Sequence, residues 1–228
     1  MAFEAKDYPI SDILNKAVFN IPRNQRRYVW KKEHWRDLYE DIVFSIAEDK
    51  PHFVGSIVLE GGRKKEGLSY YTIIDGQQRL TTITIVLLAI MKHFHENDME
   101  DDFLGTVSYL QSKNNSNQDI LILSSDSHIS ISTLIRNTIA LKDKGISISS
   151  FVDTSIIAKA KDKCIGDAVK YFYFAIKEDI QTVDDVPKRL REIRNALLEM
   201  TAVKIVSTSE EDSYTIFEIL NARGQELA

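Results

Sequence analysis

The chain has almost no cysteine, no basic excess and no long apolar run. Its single thiol, Cys164 among 228 residues, excludes disulfides and thiolate zinc sites within the chain. That thiol sits in the charged run Lys161-Asp162-Lys163-Cys164-Ile165-Gly166 with no base beside it, so it is expected to be inert. The net charge of −5 argues against a general nucleic-acid binder, and any DNA contact has to come from a local patch. The longest apolar run, Ile83 to Met91, is too short to span a bilayer, and Met1 to Asp7 lack a signal pattern, so a cytoplasmic protein without membrane contact is expected. Histidine is sparse as well. His34, His52 and His128 are isolated, and His93 and His95 flank Phe94 at the polar end of a helix, where a solvated terminus is expected rather than a zinc site.

The hydrophobic share of 43% and charged share of 28% are ordinary for a globular protein, and the length suits one large domain or a domain with an insertion. The most informative segment is Ile73-Ile74-Asp75-Gly76-Gln77-Gln78-Arg79-Leu80-Thr81-Thr82. An apolar strand stops there at a carboxylate and a glycine, and a helix begins. Glycine permits the tight turn, the first N–H groups of the helix lack intrahelical partners, and Arg79 adds positive charge in the first turn. A phosphate suits this arrangement. Taken alone, Asp75-Gly76 favours an ordinary strand-to-helix turn with Asp as the cap, and it is the doubled glutamine with arginine and the blocks described below that reverse this. The residues that follow are apolar nearly all round a helical wheel, which predicts a helix buried at the centre of its domain.

Around this junction the pattern predicts a short helix over Ile10 to Phe19, an extended Phe19-Asn20-Ile21, a helix over about 32–47 and two strands at Phe53 to Leu59 and Tyr70 to Ile74. The loop between those strands, Glu60 to Gly67, is glycine-rich and basic but lacks the spacing of a P-loop. From about 103 to 200 the pattern is mostly helical, with one extended piece at Ile120 to Leu123 and helices over about 132–141, 155–177 and 183–200. A strand at Ala202 to Val206 and a closing helix follow, with Glu210 to Asp212 as an acidic first-turn cap rather than a metal site. The expected organisation is a core over 1–95, a helical subdomain over 96–200, and a strand and helix over 201–228 that return to the core.

Residues 22–36 reverse the overall charge. Arg23, Arg26, Arg27, Lys31, Lys32 and Arg36 stand against Glu33 alone. Arginines interleaved with Tyr28, Trp30 and Trp35 can grip phosphates while the rings stack on bases, or the rings can be core anchors; the residues leave both open. For Arg26 and Arg27 the phosphate reading is favoured.

Four blocks in order, Ile21-Pro22 to Trp30, Phe53 to Leu59, Ile74 to Thr82 and Phe217-Glu218-Ile219-Leu220-Asn221-Ala222-Arg223-Gly224, resemble the GmrSD-type restriction and defence proteins, whose N-terminal DGQQR domain is similar to ParB and sulfiredoxin. The resemblance implies an α+β fold: a ParB/sulfiredoxin-like core with a small mixed sheet and a large helical insertion. It implies a nucleoside triphosphate as substrate with Mg²⁺, hydrolysed by this domain within a modification-dependent anti-phage restriction system. A His-Asn-His nuclease would act as a following domain or separate subunit, so the chain is expected to be a fragment. The implied partners are double-stranded DNA, modified or unmodified, the nuclease and, by analogy with ParB, a second copy of the chain.

Within that frame Gly76 and the N–H groups of Gln77 and Gln78 cradle phosphate oxygens, Arg79 neutralises transition-state charge, and Asp75 holds Mg²⁺ or orients water. Arg26 and Arg27 face the phosphates or DNA, and the resemblance places Asn221 and Arg223 near the same site. Gln78 is expected among the catalytic groups, although Gln77 and Gln78 can equally be buried amides bonded to a neighbouring loop. The competing reading is a DNA-binding or protein-docking module with no turnover.

Overall fold

The computed structural model describes residues 3–126, 129–141 and 163–207, with isolated positions 209, 212, 215 and 218. Asn221, Arg223, His128, Glu210 and Glu211 lie outside the described residues. The strands are β1 (Phe3–Pro9), β2 (Ala17–Ile21), β3 (Phe53–Lys65), β4 (Leu68–Asp75), β5 (Gln111–Lys113), β6 (Asp119–Leu121), β7 (Leu123–Ser125) and β8 (Thr201–Ser207). The helices are α1 (Ile10–Leu14), α2 (Lys32–Glu48), α3 (Gln77–Glu96), α4 (Glu100–Val107), α5 (Ile129–Ile139), α6 (Lys163–Ile180) and α7 (Val186–Glu199). Six strands form one mixed sheet in the order β1-β8-β3-β4-β2-β7, and β5 with β6 forms a separate pair. The expected α+β class with a small mixed sheet holds.

The long helix α3 is the centre of the core. Leu80, Ile83 and Ile85 to Met91 are each 1% exposed or less, so the absence of a polar face in the sequence becomes burial on all sides. Helices α4, α6 and α7 pack against it. Helix α6 presents Ile165, Val169, Phe172 and Ile176 at helical spacing to the same apolar cluster. Helix α7 starts where the Asp185 carboxylate accepts from Lys188 N–H at 2.9 Å, with Pro187 in its first turn. Across the sheet, alternation sends Ile57, Leu59 and Ile73 to this core and Val58, Ile74 and Ile205 to a smaller cluster on the other face. Among the described residues no helix is long and apolar enough to cross a membrane.

The β3–β4 hairpin is longer than the predicted strands. Glu66 and Gly67, both at positive φ (50° and 84°), make a two-residue turn, and a bulge between Gly61 and Arg63 lets the strands continue through the glycine pair. The segment expected to be a loop is therefore mostly paired backbone. Strand β1 has no counterpart among the predicted elements. It is an edge strand paired antiparallel to β8, and its charged Glu4, Lys6 and Asp7 conceal it from pattern reading while protecting the open edge.

His93 also departs from expectation: it is 2% exposed rather than a solvated helix end. Its Nε2 lies 2.9 Å from the Tyr173 carbonyl oxygen, its ring stacks on Tyr173 at 4.6 Å, and its Nδ1 lies 3.5 Å from Glu96. Tyr173 OH donates to the same carboxylate, and buried Lys92 lies 3.4 Å from it. Helix α6 covers this turn, which no local pattern reveals.

Burial outweighs Glu96 and lowers the His93 pKa below its ordinary 6.5. The unfolded chain therefore binds a proton more readily than the folded one. The stability contributed by neutral His93 is fully present above pH 6.5 and is lost as pH falls toward the depressed folded value. His93→Gln, which stays neutral, is expected to flatten the acid limb of a urea-midpoint profile measured from about pH 7.5 to about pH 5.

Candidate functional site

The turn between β4 and α3 is left-handed. Gly76 has φ 92° and ψ 5°, and a Cβ there would lie 3.2 Å from Ile57 Cα and from the Ser56 carbonyl oxygen. Only glycine meets both demands. Leu80 N–H then donates to the Gly76 carbonyl at 3.0 Å, which opens the helix. The first-turn N–H groups of Gln77, Gln78 and Arg79 have no intrahelical acceptor. They belong to residues lining a cleft of about 430 Å³, whose walls are Gln25, Arg26, Trp30 and Asp75 to Arg79.

Both glutamine side chains are buried and turned to the 22–31 loop. Gln77 Nε2 donates to the Arg26 carbonyl at 3.0 Å and to Gln25 Oε1 at 3.2 Å, and Gln25 Nε2 donates in turn to the Ile74 carbonyl at 3.0 Å. Gln78 Nε2 donates to the Arg27 carbonyl at 3.0 Å, and Gln78 Oε1 accepts from Val29 N–H at 2.9 Å. The amides therefore supply the backbone partners that a loop without secondary structure lacks. The Gln78 carboxamide is thus bonded to the neighbouring loop. It holds the cleft wall in place.

The three aromatics of this segment have separate fates. Tyr28 and Trp35 are 7% and 6% exposed and are core anchors. Trp35 Nε1–H donates to Tyr28 OH at 2.8 Å, Tyr28 OH lies 2.8 Å from Thr82 Oγ1, and Thr82 Oγ1–H donates to the Gln78 carbonyl at 2.7 Å. Because the Thr82 proton is used on that carbonyl, Tyr28 is the donor to Thr82. Burial holds the Tyr28 phenol protonated, far above its ordinary range. Trp30, partly exposed and stacked on His34 at 5.4 Å, lines the cleft.

Arg79 reaches back over β3. Its Nη1 donates to the Ser56 carbonyl at 2.6 Å, and the same nitrogen lies 3.9 Å from Asp75 Oδ2. The guanidinium crosses Gly55, where a Cβ would meet Nε at 3.0 Å and Cζ at 3.1 Å. Gly55, at φ 100°, is thus a functional position that sequence reasoning missed. Its signal was a glycine inside an otherwise apolar strand. With about a third of each side chain exposed, Arg79 and Asp75 are open to a ligand while fixed from behind.

The structure therefore brings Asp75, Gly76, Gln77, Gln78, Arg79 and Arg26 together. Arg27 is exposed, and it meets the site through its carbonyl rather than as a lining side chain. Among the described residues no three histidine, cysteine or carboxylate side chains cluster to hold a metal. Among the described residues Asp75 is the single carboxylate on the cleft wall. That fits Mg²⁺ in the mode where one carboxylate, substrate phosphates and water complete the shell, and it does not fit an all-protein cage.

The chain belongs to the family of GmrSD restriction endonuclease N-terminal domains, whose model matches residues 10–228. It is thus a restriction-system component by family. No curated protein matches the chain.

Gln78→Ala removes the partners of Val29 N–H and the Arg27 carbonyl. Amide exchange at Val29 is expected to accelerate by about an order of magnitude or more, while the amides within α3 keep their protection; the measurement is hydrogen exchange resolved by residue.

Proposed function

We propose that the cleft binds a nucleoside triphosphate and hydrolyses it, and that this turnover gates DNA cleavage by a nuclease domain or subunit. The observation that carries the reading is the convergence at one cleft of an open helix start, the anchored Arg79, the exposed Arg26 and the Asp75 carboxylate. Phosphate oxygens accept from the first-turn N–H groups at Gln77 and Gln78. Arg79, already oriented by Ser56, offers its remaining donors to the charge that develops on the transferred phosphoryl group.

Asp75 needs a reason to stand in an anion site, because a bare carboxylate repels phosphate. Two arrangements remove the conflict: Asp75 would hold a Mg²⁺ whose charge would offset both carboxylate and phosphate, or Asp75 accepts a hydrogen bond from the water that serves as the nucleophile. The ion, when bound, would polarise the phosphoryl oxygens. In either case Arg79, at 3.9 Å, steadies the Asp75 carboxylate beside the cleft.

The basic segment faces outward beside the cleft. Arg23, Arg26, Arg27, Lys31 and Lys32 are all exposed, a local cationic surface on a chain of net charge −5. It suits double-stranded DNA, modified DNA included, as the partner that regulates turnover. Asn221 and Arg223 retain their proposed place beside the nucleotide, and homodimerisation retains its place as a proposal by analogy.

Phosphate release from nucleoside triphosphate, measured with Mg²⁺ and with and without DNA, is expected to fall about 10²- to 10³-fold in Arg79→Ala. Release that is absent, or equal in the variant, would overturn hydrolysis and favour a docking module without turnover.

A further inference from the structure

A second cavity of about 240 Å³ adjoins the phosphate cleft and shares two of its walls, Trp30 and Arg79. It runs along α2, where His34, Asp37, Leu38 and Asp41 fall on one helical stripe. Its opposite side carries Phe53, which leaves 53% of its surface in water at the start of β3. The two cavities differ in chemistry. The cleft presents Arg26 and Arg79, whereas the charged residues that the groove adds are Asp37 and Asp41, which when ionised only accept hydrogen bonds.

We infer that this groove is the nucleoside subsite of the nucleotide whose phosphates occupy the cleft, and that it selects guanine. The inference rests on the phosphate reading given above. A second phosphate group is disfavoured beside two carboxylates, while a planar base covers the exposed ring of Phe53 and the open part of Trp30. Continuity through Trp30 and Arg79 puts base and phosphates on one molecule, with the arginine at the partition.

The carboxylates choose among bases. Asp37 Oδ1 accepts from Arg36 at 3.1 Å, and Asp41 Oδ2 lies 3.3 Å from His52 Nε2, so each carboxylate is steadied through one oxygen. Guanine offers two adjacent donors, N1–H and the 2-amino group, which together match carboxylate acceptors. Adenine offers one donor beside an acceptor nitrogen. Uracil offers one N–H flanked by two carbonyl oxygens that a carboxylate repels.

Calorimetric titration of the purified chain with Mg²⁺ and GTP, ITP, ATP, UTP or inorganic tripolyphosphate tests this. GTP is expected to bind at least about tenfold more tightly than ATP, UTP or tripolyphosphate, with ITP, which lacks the 2-amino group, in between. Phe53→Ala should bring GTP to the tripolyphosphate level and leave tripolyphosphate unchanged. Asp37→Asn with Asp41→Asn should erase the preference for GTP over ATP. If tripolyphosphate binds in an Arg79-dependent way but the nucleotides all bind no better, the subsite is overturned and the phosphate cleft stands. A GTP preference that survives both aspartate substitutions also overturns it, and if neither tripolyphosphate nor any nucleotide binds, both readings fall.

Discussion

The left-handed turn at Gly76 is the constraint on which the site depends. It converts the last residue of β4 into the first turn of α3 with no side chain between the backbone and Ile57. A residue with a Cβ would have to push β3 away or leave the positive-φ region, and either change would re-aim the helix start. Because α3 is enclosed on all sides, that start is held as rigidly as the core itself. The first-turn N–H groups, which have no intrahelical acceptor, are then held at a fixed place on the cleft wall rather than sweeping through solvent.

The same first turn organises chain that has no regular structure of its own. Gln77 and Gln78 bury polar amides, an arrangement that is costly unless every group finds a partner. Their partners are the backbone of residues 26, 27 and 29, so the requirement to satisfy the glutamines and the requirement to satisfy the loop are met together. Arg26 and Trp30 consequently face the cleft from a loop that is tied to the helix carrying Arg79. The Trp35–Tyr28–Thr82 chain ends on the Gln78 carbonyl and ties the loop, α2 and α3 into one buried polar network. Gly55 and Ser56 complete the arrangement from β3, one by yielding space to the guanidinium and the other by orienting it.

Much of this was legible locally. The short apolar runs of β3 and β4, the all-round apolar wheel of α3 and the spacing of α2 and α7 reflect burial patterns that each segment carries within itself. Other features depend on what comes from elsewhere in the chain. His93 looked solvated because the residues around it are polar, and only α6 laying Tyr173 over it removes the water. Tyr28, Trp30 and Trp35 are indistinguishable by type and near in sequence, yet two are core and one lines the cleft. Strand β1 is stabilised by β8, almost two hundred residues away, and its own alternation is obscured by the charges that keep an edge soluble.

The sequence by itself determined that a strand ends at a carboxylate and a glycine, that a buried helix starts there with an arginine in its first turn, and that a basic aromatic segment lies upstream. Those properties follow from steric limits, periodicity and charge, which are local. Tertiary structure decided that the doubled glutamine holds a loop, that Gly55 exists for Arg79, and that Asp75, Arg79 and Arg26 share one cleft with a second groove beside it. Such facts are distances between segments 23 to 51 residues apart, and they arise only when the core closes around α3.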